Sequence, residues 1–190
     1  NNTKDIDQFV KLHFYNLENE LLTEFGEEFL SLYYKYLLSS NNSFGYTVLL
    51  DNKLLGCCIC LKDESIFLEI FKKDLFYVSK IVLKYLTNNI THIFSFFSLL
   101  YYTLIANRNH NKILDNNVTK AEMIIVIVDK QLRSREFIKN HQIDIAKNIV
   151  EKTIDKAKEL NITQLFQATA KSNFKVNSLM KNIGFKTTHS

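Results

Sequence analysis

Residue type and spacing come closest to chemistry between Ala121 and Val150. There Ala121-Glu122-Met123-Ile124-Ile125-Val126-Ile127-Val128 leads through a mostly polar connection into His141-Gln142-Ile143-Asp144-Ile145-Ala146. The β-branched run over 122–128 is too short for a buried helix and reads as a strand. Ala146, Ile149, Val150, Ile154, Ala157 and Leu160 repeat at helical spacing and predict a helix over 145–160. A strand that feeds a helix leaves the first N–H groups of the helix without intrahelical partners. Together with the helix dipole they can hold an anion. Lys130, Arg133, Arg135 and Lys139 crowd the connection and could grip phosphates, although a solvated charge run explains them equally well.

The rest of the chain sets limits on that chemistry. A length of 190 residues can bury a proper core and favours one domain. The net charge of +4 is spread over 24 basic and 20 acidic residues, which argues against a nucleic-acid surface and leaves a mildly anionic small molecule compatible. No proline and only four glycines, amid abundant Asn, Lys, Ile and Phe, look like the imprint of an AT-rich coding sequence, which can erase the glycines of a motif. The three cysteines, Cys57, Cys58 and Cys60, fall within one expected strand with 57 and 58 on opposite faces, fitting neither a disulfide framework nor a metal site. They read as buried thiols in a reducing cytoplasm, and the polar start from Asn1 to Gln8 is not a signal peptide.

The elements that must position the central stretch follow from pattern. Asp5 is a plausible N-cap for a first helix with Ile6, Phe9, Val10, His13, Phe14 and Leu17 in one stripe, on which His13 reads as a half-buried packing residue. A second helix after Gly26 carries Phe29, Leu30, Tyr33, Tyr36 and Leu37 and ends near the loop at 39–43. Strands at 44–50 and 54–61 flank Asp51-Asn52-Lys53, where Asn suits the left-handed conformation of a tight hairpin. Residues 64–118 read as a helical insertion. Within it Ile90–Ala106 is rich in aromatics but interrupted by His92 and hydroxyl residues, which favours a buried or lid helix over a membrane contact, and 107–117 reads as a polar loop. Beyond the central helix, 162–170 predicts a strand and Ser172 or Asn173 caps a final helix. Gly184 suits that helix's left-handed terminus, and Phe185-Lys186-Thr187 begins a last strand. With no repeat or linker, the whole reads as one α/β domain over 1–190.

Strand, loop, helix, strand and then Asn173 to Phe185 resemble the GNAT superfamily of acyl-CoA-dependent N-acetyltransferases. Ala121-Glu122 and Val126-Ile127-Val128 match the family's central strand, while Asn173, Val176, Leu179, Gly184 and Phe185 match its later Asn-x-x-Ala-x-x-Phe-Tyr-x-x-x-Gly-Phe segment at the same spacing. The resemblance touches most of the chain except 64–118, and only the C-terminal third is motif-grade. It implies a mixed, mostly antiparallel central sheet flanked by helices, with the helical insertion between the hairpin and the central strand. It also implies acetyl-CoA as co-substrate. The family's pyrophosphate loop, Arg/Gln-x-x-Gly-x-Gly/Ala, then falls on His141-Gln142-Ile143-Asp144-Ile145-Ala146, making part of 130–140 an insertion. An alternative register on Arg133–Ile138 keeps an Arg but leaves the helix too long, so the later register is preferred. In that register His141 stands for Arg or Gln, Asp144 stands for the first Gly, and only Ala146 conforms. A carboxylate there opposes a pyrophosphate, and the lost glycine removes easy positive-φ conformations.

The family's chemistry needs an amine that has lost its proton, donors on the thioester carbonyl and an acid for the thiolate. By resemblance Glu122 takes the proton, directly or through water. Backbone amides of Val126, Ile127 and Val128 hold the acetyl carbonyl and the pantetheine arm, with Asn173 also at the coenzyme. The Tyr that often serves as the acid is replaced by Met180, which has no proton to donate. The partner implied is a small-molecule amine, with an amino sugar as one form suggested by analogy. The reading involves no nucleic acid and no metal, and it admits a homodimer. A catalytically degenerate binding or assembly module is the alternative that the missing Gly and Tyr would explain.

Overall fold

The computed structural model describes residues 3–18, 20–62, 66–88, 118–169 and 173–187. They form helix α1 (Thr3–Asn16), the one-turn α2 (Leu21–Glu24), α3 (Gly26–Ser39), strands β1 (Ser43–Leu50) and β2 (Lys53–Leu61), and helix α4 (Ile66–Asn88). After these come β3 (Lys120–Val128), α5 (Arg135–His141), α6 (Ile145–Glu159), β4 (Gln164–Phe166) and α7 (Phe174–Ile183). The chain groups into two compact units, one from Asn1–Asn41 with Asp63–Val118 and the other from Asn42–Lys62 with Thr119–Ser190.

The first unit is helical. Of the stripe predicted for α1, Phe9, Val10 and His13 are buried, joined by Leu12 from outside it, and α3 buries Phe29, Leu30, Leu32, Tyr33, Tyr34 and Leu37. The 64–118 insertion is helical over α4, which bends at Asp74 (φ −125°, ψ 31°), where Tyr36 Oη donates to the carboxylate at 2.7 Å. The expectations for a lid helix at 90–106 and a loop at 107–117 lie outside the described residues.

His13 is more deeply placed than its pattern predicts, at 1 % exposure. Its Nδ1 lies 2.9 Å from Tyr34 Oη, and Nε2 has no hydrogen-bond partner among the described residues. Burial holds its pKa down at about 4, against an ordinary 6.5. The folded state therefore refuses a proton that the unfolded chain accepts between those values. Stability fully present above pH 6.5 drains away as pH falls towards 4. The drop corresponds to about 3 kcal/mol. Denaturant unfolding at stepped pH measures it, taken as the difference between wild type and His13→Gln so that carboxylate titration cancels. Parallel curves for the two proteins would show that His13 is not the group responsible.

The second unit is built on a four-stranded sheet in the order β1-β2-β3-β4. β1 pairs antiparallel with β2 and β2 with β3, whereas β3 and β4 run parallel. The hairpin turn carries left-handed backbone at both Asp51 (φ 48°) and Asn52 (φ 62°), the two-residue geometry whose twist matches the strands. Cys58, Cys60 and Met123 on one face of the sheet pack with Ile149 and Val150 of α6 and Met180 of α7. Farther along, Ala121 packs with Ala157 and Ile162. All three cysteines are free and buried, as the sequence predicts.

Five local expectations change. Asp5 does not cap α1, which is already helical at Thr3 and carries Asp5 in its first turn. The strand predicted over 162–170 is regular only at Gln164–Phe166, because it parts from β3 after three pairs. Phe185-Lys186-Thr187 takes no regular structure among the described residues. The insertion at 130–140 contains a two-turn helix, α5, whose N-cap Ser134 accepts from Phe137 N at 3.1 Å. Finally, α2 adds a turn that propensity alone does not announce.

Candidate functional site

β3 is central in the sheet, yet only part of it is paired on both sides. Its β4 edge is used at Lys120, Ala121 and Glu122, which face Gln164, Leu165 and Phe166. From Met123 to Val128 no strand among the described residues lies on that side. On the other side the ladder with β2 runs to Gly56↔Val128 and continues in Asp129 N donating to Leu55 O at 2.9 Å. Directly opposed antiparallel residues alternate between exchanging hydrogen bonds and turning their groups away. Since Asp129 bonds to β2, Ile127 does so too, and the N–H and C=O of Val126 and Val128 point outward towards the gap left by β4. Ile127, between them, has its backbone in the β2 ladder and its side chain buried.

A bulge makes this arrangement possible. Ile59 opposes Ile125 and Cys60 opposes Met123, so Ile124 is an extra residue in β3. Such an insertion bends the strand and shifts which side chains face which way. Met123 and Val126 thus contribute to the same core cluster although three positions apart. Glu122, just before the bulge, is half-buried and is the last residue of β3 held in ladders on both sides, facing Leu61 and Phe166. The hydrogen bond with Cys58 and burial push the Cys60 thiol's pKa up, and the nearby Glu122 carboxylate adds a smaller push in the same direction.

The residues aligned with the pyrophosphate loop are not one loop. His141 closes α5, stacked on Phe137 with ring centroids 4.2 Å apart. Gln142 takes the left-handed conformation (φ 54°) and ends that helix. Ile145 and Ala146 already belong to the first turn of α6. The alternative stretch, Arg133–Ile138, runs into α5, which ends at His141 after two turns. Asp144 is the N-cap of α6, and its Oδ1 accepts from Lys147 N at 3.0 Å. A side-chain carboxylate therefore already holds one of the amides that a phosphate would seek. Ile143 is exposed, and Lys130, Arg133, Arg135 and Lys139 are exposed along the same connection.

Asn173 caps α7, its Oδ1 accepting from Val176 N at 3.4 Å, and Gly184 ends that helix at φ 104°. Met180 is 6 % exposed among Cys58, Cys60 and Met123, so the place of the family's acid is a piece of core. Sequence reasoning missed the Ile124 bulge and the left-handed Gln142. Neither announces itself in the pattern, because an unbroken β-branched run hides a bulge and Gln is not a residue that marks positive φ. No group of His, Cys, Asp and Glu suited to a metal occurs among the described residues. No helix among them is long and apolar enough to cross a membrane.

No family model and no curated protein matches the sequence. Solved structures do match over the whole chain. An aminoglycoside N-acetyltransferase, AAC(6')-Iy, in complex with CoA aligns with all of this chain and 87 % of its own, at 9 % identity and a TM-score of 0.57. A ribosomal-protein-alanine N-acetyltransferase from Brucella melitensis biovar Abortus 2308 aligns over 100 % and 91 %, at 12 % identity and 0.52. A transcriptional regulator from Bacillus halodurans C-125 aligns over 100 % and 92 %, at 12 % identity and 0.57. What this chain has in common with such neighbours, most of them acetyltransferases, is the GNAT N-acetyltransferase fold.

Proposed function

We propose that the protein is an acetyl-CoA-dependent N-acetyltransferase acting on a primary amine of a small molecule, with an amino sugar as the acceptor class. The observation that carries this reading is that β3 has no partner strand on its β4 side beyond Glu122 among the described residues, where the alternation of the β2 ladder turns the backbone groups of Val126 and Val128 away from β2. Those groups complement the amides of a pantetheine arm and the thioester carbonyl at its end. That an aminoglycoside N-acetyltransferase is among the structural neighbours supports an amino sugar.

In this reading Glu122 removes the proton from the ammonium group, directly or through water. The free amine then attacks the thioester carbonyl carbon, and the oxyanion is held by an outward N–H of β3. The attacking nitrogen gives its second proton to solvent, and collapse of the tetrahedral intermediate breaks the C–S bond. The thiolate takes its proton from solvent, since Met180 has none to give. The two ends of the coenzyme fit unequally. The arm meets open backbone, whereas the pyrophosphate meets the Asp144 carboxylate at the tip of α6, with Lys130, Arg133, Arg135 and Lys139 left to supply positive charge. That carboxylate and the buried Met180 are the observations favouring the second reading, a catalytically degenerate binding or assembly module.

Calorimetric titration with acetyl-CoA tests the proposal. Heat and thermal stabilisation at millimolar ligand are expected, and their absence would leave only the fold. Asp144→Asn sharpens the test, because Asn caps a helix as well as Asp but carries no charge. We expect coenzyme affinity to rise about three- to tenfold, from ~1 kcal/mol of relieved repulsion, while stability stays within about 0.5 kcal/mol. Unchanged affinity in Asp144→Asn would place the pyrophosphate away from α6.

A further inference from the structure

β1 is the outer strand of the sheet, and no strand among the described residues lies on its far side. Parity along the hairpin fixes which of its backbone groups face outward. Leu50 pairs with Lys53 across the two-residue turn, and the pair flanking such a turn exchanges hydrogen bonds. Val48, Tyr46 and Phe44 share that parity and bond to β2, which leaves the N–H and C=O of Leu49, Thr47 and Gly45 pointing away from the sheet. The β3 side agrees, because Cys57 bonds to Ile127 and so turns Cys58 towards Tyr46. The bulge beside Val48 puts its extra residue, Leu55, in β2 and leaves β1 unbroken. Gly45, Thr47 and Leu49 are exposed, and their outward groups have no partner among the described residues. Sheet edges are normally blunted by charge or proline. Ser43–Leu50 runs for 8 residues with neither, and Leu49 and Leu50 lay exposed apolar surface along it.

The strand that fits this edge is β1 itself, running the other way, since antiparallel pairing obeys a two-fold axis. With the axis at Thr47, this residue faces Thr47 of the second copy, and Gly45 faces Leu49. Outward groups then meet outward groups, for about six backbone hydrogen bonds. The same register lays Leu49 over Gly45, where no side chain competes, and sets Leu50 against Phe44 and Tyr46 beside Val48. Every exposed apolar side chain of β1 is thus covered without meeting a charge. At both ends the charges are complementary. Asp51, exposed at the hairpin tip, approaches Ser43 of the second copy and the Lys62 beside it, whose N–H donates to Asn42 O at 2.9 Å. Moving the axis to Gly45 or Leu49 shortens the paired stretch. We propose that the protein forms a two-fold symmetric dimer by pairing β1 with β1 of a second copy, joining the two sheets into one. This inference does not depend on the acetyltransferase reading.

Sedimentation of the full chain over a dilution series measures the association, and amide exchange locates it. One strand per copy is a small interface, so a dimer that dissociates in the micromolar range is expected. The amides of Gly45, Thr47 and Leu49 should be protected only in the dimer, whereas those of Tyr46 and Val48, bonded to β2, stay protected in both states. Leu49→Lys puts a charge on the edge and acts twice across the axis. It is expected to raise the dissociation constant at least about 100-fold. Phe76→Lys, at an exposed apolar residue of α4, is the control and should leave the constant unchanged. A monomer at every concentration up to ~1 mM would overturn the proposal. So would a dimer that Leu49→Lys leaves intact or that Phe76→Lys breaks, either of which puts the contact elsewhere. If Leu49→Lys folds poorly, exchange in the wild type decides: a dimer whose Gly45, Thr47 and Leu49 amides remain unprotected does not form through β1.

Discussion

Glu122→Gln is expected to lower kcat about 10²–10³-fold while affinity for acetyl-CoA stays within about twofold of wild type, the range for loss of a general base. The position makes the comparison clean. Glu122 is pinned by ladders on both sides, with Leu61 in β2 and Phe166 in β4. The substitution therefore changes a proton acceptor and leaves the strand where it is. Immediately beyond it the Ile124 bulge bends β3 and the β4 edge opens, which puts the one carboxylate of this strand at the start of the proposed slot. Rate as a function of pH distinguishes a base from a merely nearby charge. An acceptor amine delivers itself unprotonated as pH rises towards its own pKa, so the deficit of Glu122→Gln shrinks with increasing pH if the carboxylate's work is proton removal. A variant with wild-type kcat across the profile would end the assignment. A deficit independent of pH would move Glu122 from chemistry to electrostatic positioning.

How much of this was legible beforehand differs between frame and site. The amphipathic stripes of α1 and α3, the Asp-Asn hairpin, the β-branched run of β3, the spacing of α6 and the Asn173 and Gly184 ends of α7 are local patterns, and they folded where the pattern put them. α5 and β4 were harder for separate reasons. α5 had its signals, Ser134 as cap, Glu136 in the first turn and Lys139 and His141 in the last. With just Phe137 and Ile138 apolar, however, its periodicity is too short to stand out. The length of β4 is set by where β3 bends away, which is a property of the pair and not of residues 162–170.

Asp144 shows the same division within the site. Aligned with a family's glycine it reads as a charge in the wrong loop, yet an Asp preceding a helical run is also an N-cap, and that is the role it takes. Whether a β3 amide faces β2 or the gap depends on parity. Parity in turn depends on a one-residue bulge inside six consecutive apolar residues, Met123 to Val128, where no alternation exists to betray it.

The second large effect concerns the sheet that would carry the proposed slot. Gly45→Ala is expected to cost about 3 kcal/mol or more, enough to threaten folding of the unit. Gly45 lies in β1 opposite Ile59, and a Cβ built there would sit 2.0 Å from the backbone oxygen of Cys58 and 3.0 Å from Ile59 Cα. Neither atom belongs to a flexible side chain, so no rotamer change relieves the clash. β1 must move off β2 or the hairpin must shift its register. A shift reaches the site, because Cys58 and Ile59 are the β2 residues facing Val126 and Ile125. Thr47, two positions on and exposed in the same strand, supplies the control. Thr47→Ala changes β propensity alone and should stay within about 1 kcal/mol. Denaturant unfolding of both variants, with amide exchange read along β1 and β2, separates the outcomes. A Gly45→Ala protein as stable as Thr47→Ala would mean that the two strands do not approach this closely in solution. The expected protein unfolds at much lower denaturant and loses protection first at the β1–β2 ladder.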